Sequence, residues 1–198
     1  MRDRGLSLVI PASKVYAMLG NETLWETAVA CHETLATAGI PHAIVGGVAV
    51  CLHGYQRNTV DVDLLIDADD SDAVRDALTA AGFSWNANSQ EFVTTAGVVV
   101  QFLLQGEKAG RDSEVRLPDP SDDRSVTRIE GLPVLSLSKL IESKIACGQG
   151  NVRRTHKDFA DVVELIAAHN LSRSFARFLH KSLRSTFRQL VLNARGEQ

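Results

Sequence analysis

The chain has 198 residues, 44% of them hydrophobic and 23% charged, with a formal net charge of −3. These values are ordinary for a soluble globular protein of one domain or a core with a small appendage. Cys31, Cys51 and Cys147 lie far apart with no CxxC pair, which argues against a disulfide framework or zinc site and for a reducing, cytoplasmic setting.

The opening stretch, MRDRGLSLVIPASKVYAML, starts basic and has a short apolar run. Pro11 and Lys14 interrupt that run and no small-residue cleavage motif follows, so it is not read as a signal peptide. No apolar run approaches the roughly 18 residues of a membrane span. Asn21 is placed to cap a helix carrying Leu24, Ala28, Cys31 and Leu35 at helical spacing, stopped by Gly39 and Pro41. His42–Val45 reads as a strand and Gly46–His53 as a helix starting at the Gly pair. Val60–Asp67 reads as the next strand. Ser71 is expected to cap a helix through Ala81, with Gly82 at its end. Glu91–Thr95 and Val98–Leu104 read as two strands of a hairpin turning at Ala96-Gly97. Residues 106–125 are charged and Pro-containing, and read as a loop. Arg128–Leu135 holds a last strand turning through Gly131.

From Ser136 the pattern is helical. Helices are expected over Leu137–Cys147, Thr155–Ala168 and Ser172–Asn193, the last with Phe175, Leu179, Leu183, Phe187 and Leu190 as its apolar stripe. Charge is uneven: the chain after Asn170 carries +5 and residues 1–170 carry −8. Arg173, Arg177, Lys181, Arg184 and Arg188 recur every three or four residues, a positive stripe suited to phosphates of a nucleic acid or to an acidic protein face. The expected architecture is α/β (α+β): a core over residues 1–135 with a short mixed sheet, then a helical C-terminal part over 136–198.

The strand VDVDLLID contains the unusual feature. Alternate residues of a strand share a face, so Val60, Val62, Leu64 and Ile66 point one way and Asp61, Asp63, Leu65 and Asp67 the other. Asp61 and Asp63 are then neighbours about 7 Å apart along the strand. Two like charges at that spacing repel unless a cation meets them, and hard oxygen donors suit Mg2+ or Mn2+ with phosphate oxygens completing the shell. Gly46 and Gly47 fit the same site, because glycine lets the backbone approach a ligand closely.

The segment VGGVAVCLHGYQRNTVDVDLLI resembles the signature of the polymerase-beta-type nucleotidyltransferases, and most of all the branch that includes the AbiEii toxins of toxin–antitoxin systems. Arg57, Thr59, Asp61, Asp63 and Leu64 match its R-x-T-x-D-x-D-L setting. A second block, LPVLSLSKLIESKIACGQGNVRRTHKDFADVVELI, is similar to the helical half of that family, with Lys144, Lys157, Asp158 and Asp161 matching. The resemblance implies a nucleotidyltransferase-type core moving a nucleotide from an NTP to an acceptor hydroxyl. Asp61 and Asp63 would hold Mg2+ or Mn2+, and Gly46 and Gly47 would bind β/γ phosphates through backbone N–H. Lys144 would neutralise triphosphate charge, Arg57 and Thr59 would lie against the nucleotide, and Asp158 and Asp161 would orient Lys144 or Arg153. The arginine stripe offers a surface for an RNA acceptor, and an antitoxin partner is suggested by the resemblance alone. His53 reads as a core or helix-end histidine, and the other histidines show no ligand spacing.

Active members of the superfamily usually carry a third carboxylate on a later strand. Here the aligned residue of VVVQFLLQ is Gln101, whose amide carries no charge and accepts no proton. Two functions of different class follow: an NTP-using transferase, or a degenerate transferase fold that binds nucleotide, RNA or protein without turnover.

Overall fold

The computed structural model describes residues 10–196, so residues 1–9 of the opening stretch, and with them the basic start and most of the short apolar run, lie outside the described residues, as do Glu197 and Gln198. In chain order the elements are α1 (Ala12–Met18), α2 (Glu22–Thr37), β1 (His42–Val45), α3 (Gly46–Leu52), β2 (Asp61–Ile66), α4 (Ser71–Ala80), β3 (Ser84–Asn86), β4 (Glu91–Val93), β5 (Val99–Leu104), β6 (Val126–Ile129), β7 (Leu132–Leu135), α5 (Leu137–Gly150), α6 (Val152–Ala168) and α7 (Arg184–Arg195). The strands form one mixed sheet in the order β3-β4-β5-β2-β1-β7-β6. Strand β1 runs antiparallel to β2 and parallel to β7, while β2 and β5 are parallel. Among the described residues no helix is long and apolar enough to cross a membrane.

Most residues of the two central strands are buried. All four residues of β1 are buried, and β2 alternates at its start, with Val62 and Leu64 fully buried and the two aspartates half-buried. Val60, expected to open that strand on its apolar face, instead precedes it and is exposed. Helix α2 covers the sheet with Leu24, Ala28, Cys31 and Leu35, the stripe its spacing requires. Asn21 precedes it but makes no side-chain cap. Its amide donates to Asn58 Oδ1 at 2.7 Å and to the Thr59 carbonyl at 2.8 Å, fastening the segment that leads into β2.

Three elements differ from expectation. Helix α1 and strand β3 have weak sequence signals: α1 is one short turn-rich helix anchored by the fully buried Tyr16, and β3 is three residues at the sheet edge. The stretch expected as one helix over Ser172–Asn193 is broken. Short 3-10 turns occupy Arg173–Phe178 and Lys181–Leu183, and α7 starts only at Arg184. Tertiary hydrogen bonds hold the break open. The buried Glu142 carboxylate accepts from the His180 backbone N–H, and Arg184 Nε donates to the Leu179 carbonyl at 2.9 Å. Both bonds use backbone groups that a continuous helix would consume. Arg173, Arg177, Lys181, Arg184 and Arg188 are therefore not a stripe on one helix. Arg177 stacks 4.7 Å from the Phe178 ring centre and Arg184 is half-buried against the chain.

Candidate nucleotide and metal site

The diglycine and the aspartate strand meet directly. Val45 is the register partner of Asp63, which brings the next residue, Gly46, over the Asp63 side chain. A Cβ on Gly46 would lie 1.8 Å from Asp63 Oδ2, and its φ of +61° is one that glycine adopts without strain. A Cβ on Gly47 would lie 2.6 Å from Thr59 Oγ1. Thr59, itself buried, donates that hydroxyl to Asp61 Oδ1 at 2.7 Å. Each glycine thus makes room for one aspartate: Gly46 for Asp63 directly, Gly47 for Asp61 through Thr59.

Burial raises the Asp63 carboxyl above the ordinary carboxylate range, and the Asp61 charge raises it further. Lys144, Arg154 and Lys157 act in the opposite direction and do not cancel the rise. Two half-buried carboxylates on one face, with a positive deficit, form a donor set of the kind a hard divalent cation accepts. Among the described residues no third His, Cys, Asp or Glu joins them in a ready-made metal cluster. Mg2+ fits this arrangement, since it commonly takes one or two carboxylates and completes its shell with water and substrate phosphate.

The helical half contributes a buried ion network. Lys144 Nζ lies 3.0 Å from Asp158 Oδ1 and 2.8 Å from Asp161 Oδ2. Asp161 also takes Arg57 through Nε at 2.7 Å, which ties the segment before β2 to α6. Asp158 Oδ2 meets the Arg154 guanidinium at 3.3 Å without a well-aligned hydrogen bond. Five residues predicted separately, Arg57, Lys144, Asp158, Asp161 and the Asp63 they face, are brought into one region. Lys144 is not a free cation, however: its ammonium is buried and shared by two aspartates. The half-exposed cation is Arg154, four residues before Asp158 on α6, while Arg153 is exposed outside the network. Arg154 was missed by sequence reasoning; its i, i+4 relation to Asp158 is the signal that would have found it.

A cavity of about 260 Å³ joins these parts, lined by Gly46, Asp63, Gln101, Lys144, Cys147 and Arg154, among others. Gln101 is the register partner of Asp63 on β5, which sets it beside the aspartates. It is exposed, and its amide donates to Glu91 Oε2 at 3.4 Å. His53 takes no part. Its Nε2 bonds the Leu135 carbonyl at 2.8 Å, and burial lowers its pKa, as befits a structural histidine joining the end of α3 to β7.

A family model described as aminoglycoside-2''-adenylyltransferase matches residues 27–162, from within α2 to within α6. The chain belongs to the aminoglycoside-2''-adenylyltransferase family. Every residue of the site described above lies inside the match, whereas the arginines of the C-terminal part lie outside it. No curated protein matches the chain at the significance required. Among solved structures, a candidate nucleotidyltransferase from H. pylori is 18% identical, with 89% of this chain and 80% of that chain covered and a TM-score of 0.51. The antibiotic-resistance factor ANT(2'')-Ia, solved in solution, is 11% identical over 94% of this chain and 95% of that chain, with a TM-score of 0.50. A candidate nucleotidyltransferase from Thermotoga maritima is 13% identical over 79% and 98%, also with a TM-score of 0.50. At these identities the likeness concerns the fold, a mixed α/β nucleotidyltransferase type. The AbiEii toxin-like branch, the finer part of the sequence resemblance, is not the family whose model matches.

Proposed function

We propose that this chain is a nucleotidyltransferase that moves a nucleotide, adenylyl foremost, from a metal-bound NTP to a hydroxyl of a small polyhydroxylated acceptor of the aminoglycoside kind. The observation that carries this reading is the contact of Gly46 with Asp63: a backbone stripped of its side chain opposite a half-buried carboxylate whose partner, Asp61, is fixed by Thr59. Family membership supports the adenylyl group and the acceptor class.

Asp61 and Asp63 would hold Mg2+ or Mn2+. When bound, that cation supplies charge neutralisation for the triphosphate and the departing pyrophosphate. The backbone N–H groups at Gly46 and Gly47 would serve β/γ phosphate oxygens, at a turn where the missing side chains let the backbone sit directly against Asp63 and Thr59. Arg154 presents its half-exposed guanidinium to the cavity and adds positive charge where negative charge develops. Lys144, Asp158, Asp161 and Arg57 act mainly as scaffold, holding Arg154 and the segment entering β2 in place. Rate enhancement in such transfer comes largely from positioning and electrostatics, which this rigid network provides.

The second reading, a degenerate fold that binds without turnover, is favoured by one observation: an uncharged Gln101 stands beside Asp63. A toxin role and an antitoxin partner have only the motif resemblance behind them, and an RNA acceptor has only basic residues that lie on three separate helical pieces. The deciding experiment incubates the protein with each labelled NTP and Mg2+ or Mn2+, with aminoglycosides or total cell RNA as acceptors. Asp61→Ala/Asp63→Ala is the control. Label transfer to an aminoglycoside that vanishes in the control supports the enzyme. NTP binding with no transfer to any acceptor overturns it in favour of the degenerate reading, and transfer to RNA alone overturns the small-acceptor assignment.

A further inference from the structure

Transfer to a hydroxyl releases a proton, and the two aspartates are committed to the cation. Another group must take it. The sheet places one carboxylate for this. Strand β5 sets Gln101 beside Asp63, and β4 pairs with β5 so that Phe92 faces Val100 and Val93 faces Val99. The same antiparallel count puts Glu91 opposite Gln101. Residues in register share a face, so Glu91, Gln101 and Asp63 form one row across three strands, on the face that carries Asp61. Glu91 is also the register partner of Asn86 at the sheet edge. The Gln101 amide donates to Glu91 Oε2 at 3.4 Å, which ties the carboxylate to the residue beside Asp63. Strands lie about 4.8 Å apart, so the backbones of Glu91 and Asp63 are roughly 10 Å apart with Gln101 between them, and an acceptor hydroxyl would lie over Gln101, flanked by the two carboxylates.

We propose that Glu91 is the general base of the reaction and Gln101 the residue that positions it. This rests on the nucleotidyltransferase reading above. The acceptor O–H bond breaks and its proton passes to a Glu91 oxygen. The acceptor oxygen forms a bond to the α-phosphorus, and the bond from that phosphorus to the bridging oxygen breaks. That electron pair leaves with pyrophosphate. Gln101, being uncharged, holds the base without competing for the proton or adding a third negative charge beside Asp61 and Asp63.

The test compares wild type, Glu91→Gln, Asp63→Asn and the double variant Glu91→Gln/Gln101→Glu. Steady-state transfer from ATP and Mn2+ binding by electron paramagnetic resonance are both read. Glu91→Gln should lower kcat by about 10²–10⁴-fold, the usual range for loss of a general base, with KM for ATP and Mn2+ affinity unchanged. Asp63→Asn should lose Mn2+ binding. The double variant returns a carboxylate to the row one strand nearer Asp63 and should recover kcat at least tenfold over Glu91→Gln. Glu91→Gln turning over within twofold of wild type, while Asp63→Asn is dead, would overturn the base and leave the transferase reading intact. Loss of Mn2+ affinity in Glu91→Gln equal to that in Asp63→Asn would make Glu91 a metal ligand and also overturn it. A wild-type chain that transfers nothing removes both readings together.

Discussion

Replacing Gly46 by Ala separates backbone strain from loss of the site. At φ +61° an alanine costs about 1–2 kcal/mol for its left-handed conformation. The new Cβ would also lie 1.8 Å from Asp63 Oδ2, 2.7 Å from its Cγ and 2.9 Å from its Cβ. Rotating the Asp63 side chain relieves the first two contacts but not the third, because that Cβ is fixed by strand β2. The start of α3 and the strand must therefore part, and the carboxylate must swing out of its place beside Asp61. Gly39 provides the control: its φ is +70° and nothing lies within 4 Å of its would-be Cβ. Gly39→Ala should thus show the conformational cost alone. For a chain of this size each 1 kcal/mol lowers Tm by about 2–4 °C, so Gly39→Ala should lose about 2–8 °C. Gly46→Ala should lose more than that and should also lose binding of Mn2+ and ATP, which Gly39→Ala keeps. Thermal unfolding paired with calorimetric titration of Mn2+ with an ATP analogue reads both. Gly46→Ala that binds with wild-type affinity and melts with Gly39→Ala would refute the reasoning.

Asp63→Asn tests the electrostatics of the pair. The folded carboxyl titrates above its unfolded value, so stability is lost as pH rises from the unfolded value through the folded one, and the full cost stands above it; asparagine removes that cost at neutral pH. At about 7 Å and an effective dielectric of about 20, the repulsion from Asp61 is about 2 kcal/mol, so metal-free Asp63→Asn should melt above metal-free wild type and cease to respond to Mg2+. Thr59→Val removes the hydroxyl that fixes Asp61, and Mn2+ titration should show about 10–100-fold weaker binding. Lys144→Met leaves Asp158 and Asp161 without their shared cation and should cost about 3–5 kcal/mol in urea unfolding; an unchanged midpoint would dissolve the network. Burial lowers the pKa of His42, whose ring lies 2.9 Å from that of His32 and bonds the Ile40 carbonyl. Stability should therefore fall as pH drops below the ordinary imidazole range near 6.5, and His42→Gln should flatten that fall.

What the sequence disclosed was governed by short-range patterns. The stripe of α2, the diglycine that opens α3 and the alternation at the start of β2 are all encoded within a few residues, and each holds in the structure. The face shared by Asp61 and Asp63 follows from strand alternation alone. The register that puts Gln101 beside Asp63 comes from the parallel pairing of β2 with β5, two strands more than thirty residues apart in the chain. Long-range competition hid the rest. The break near Leu179 depends on Glu142, which lies 38 residues before His180 in sequence. Lys144 has the spacing of a helix-border lysine, and only the approach of α6 buries it between two aspartates. Glu91 carries no motif at all; its relation to Asp63 exists only through the order of β4, β5 and β2 in the sheet.

The most direct measurement is anomalous diffraction from crystals soaked with Mn2+ and a non-hydrolysable ATP analogue. The account predicts a manganese peak ligated by both Asp61 and Asp63, with the β and γ phosphates against the Gly46 and Gly47 backbone. Triphosphate bound elsewhere, or manganese that touches neither aspartate, would contradict it.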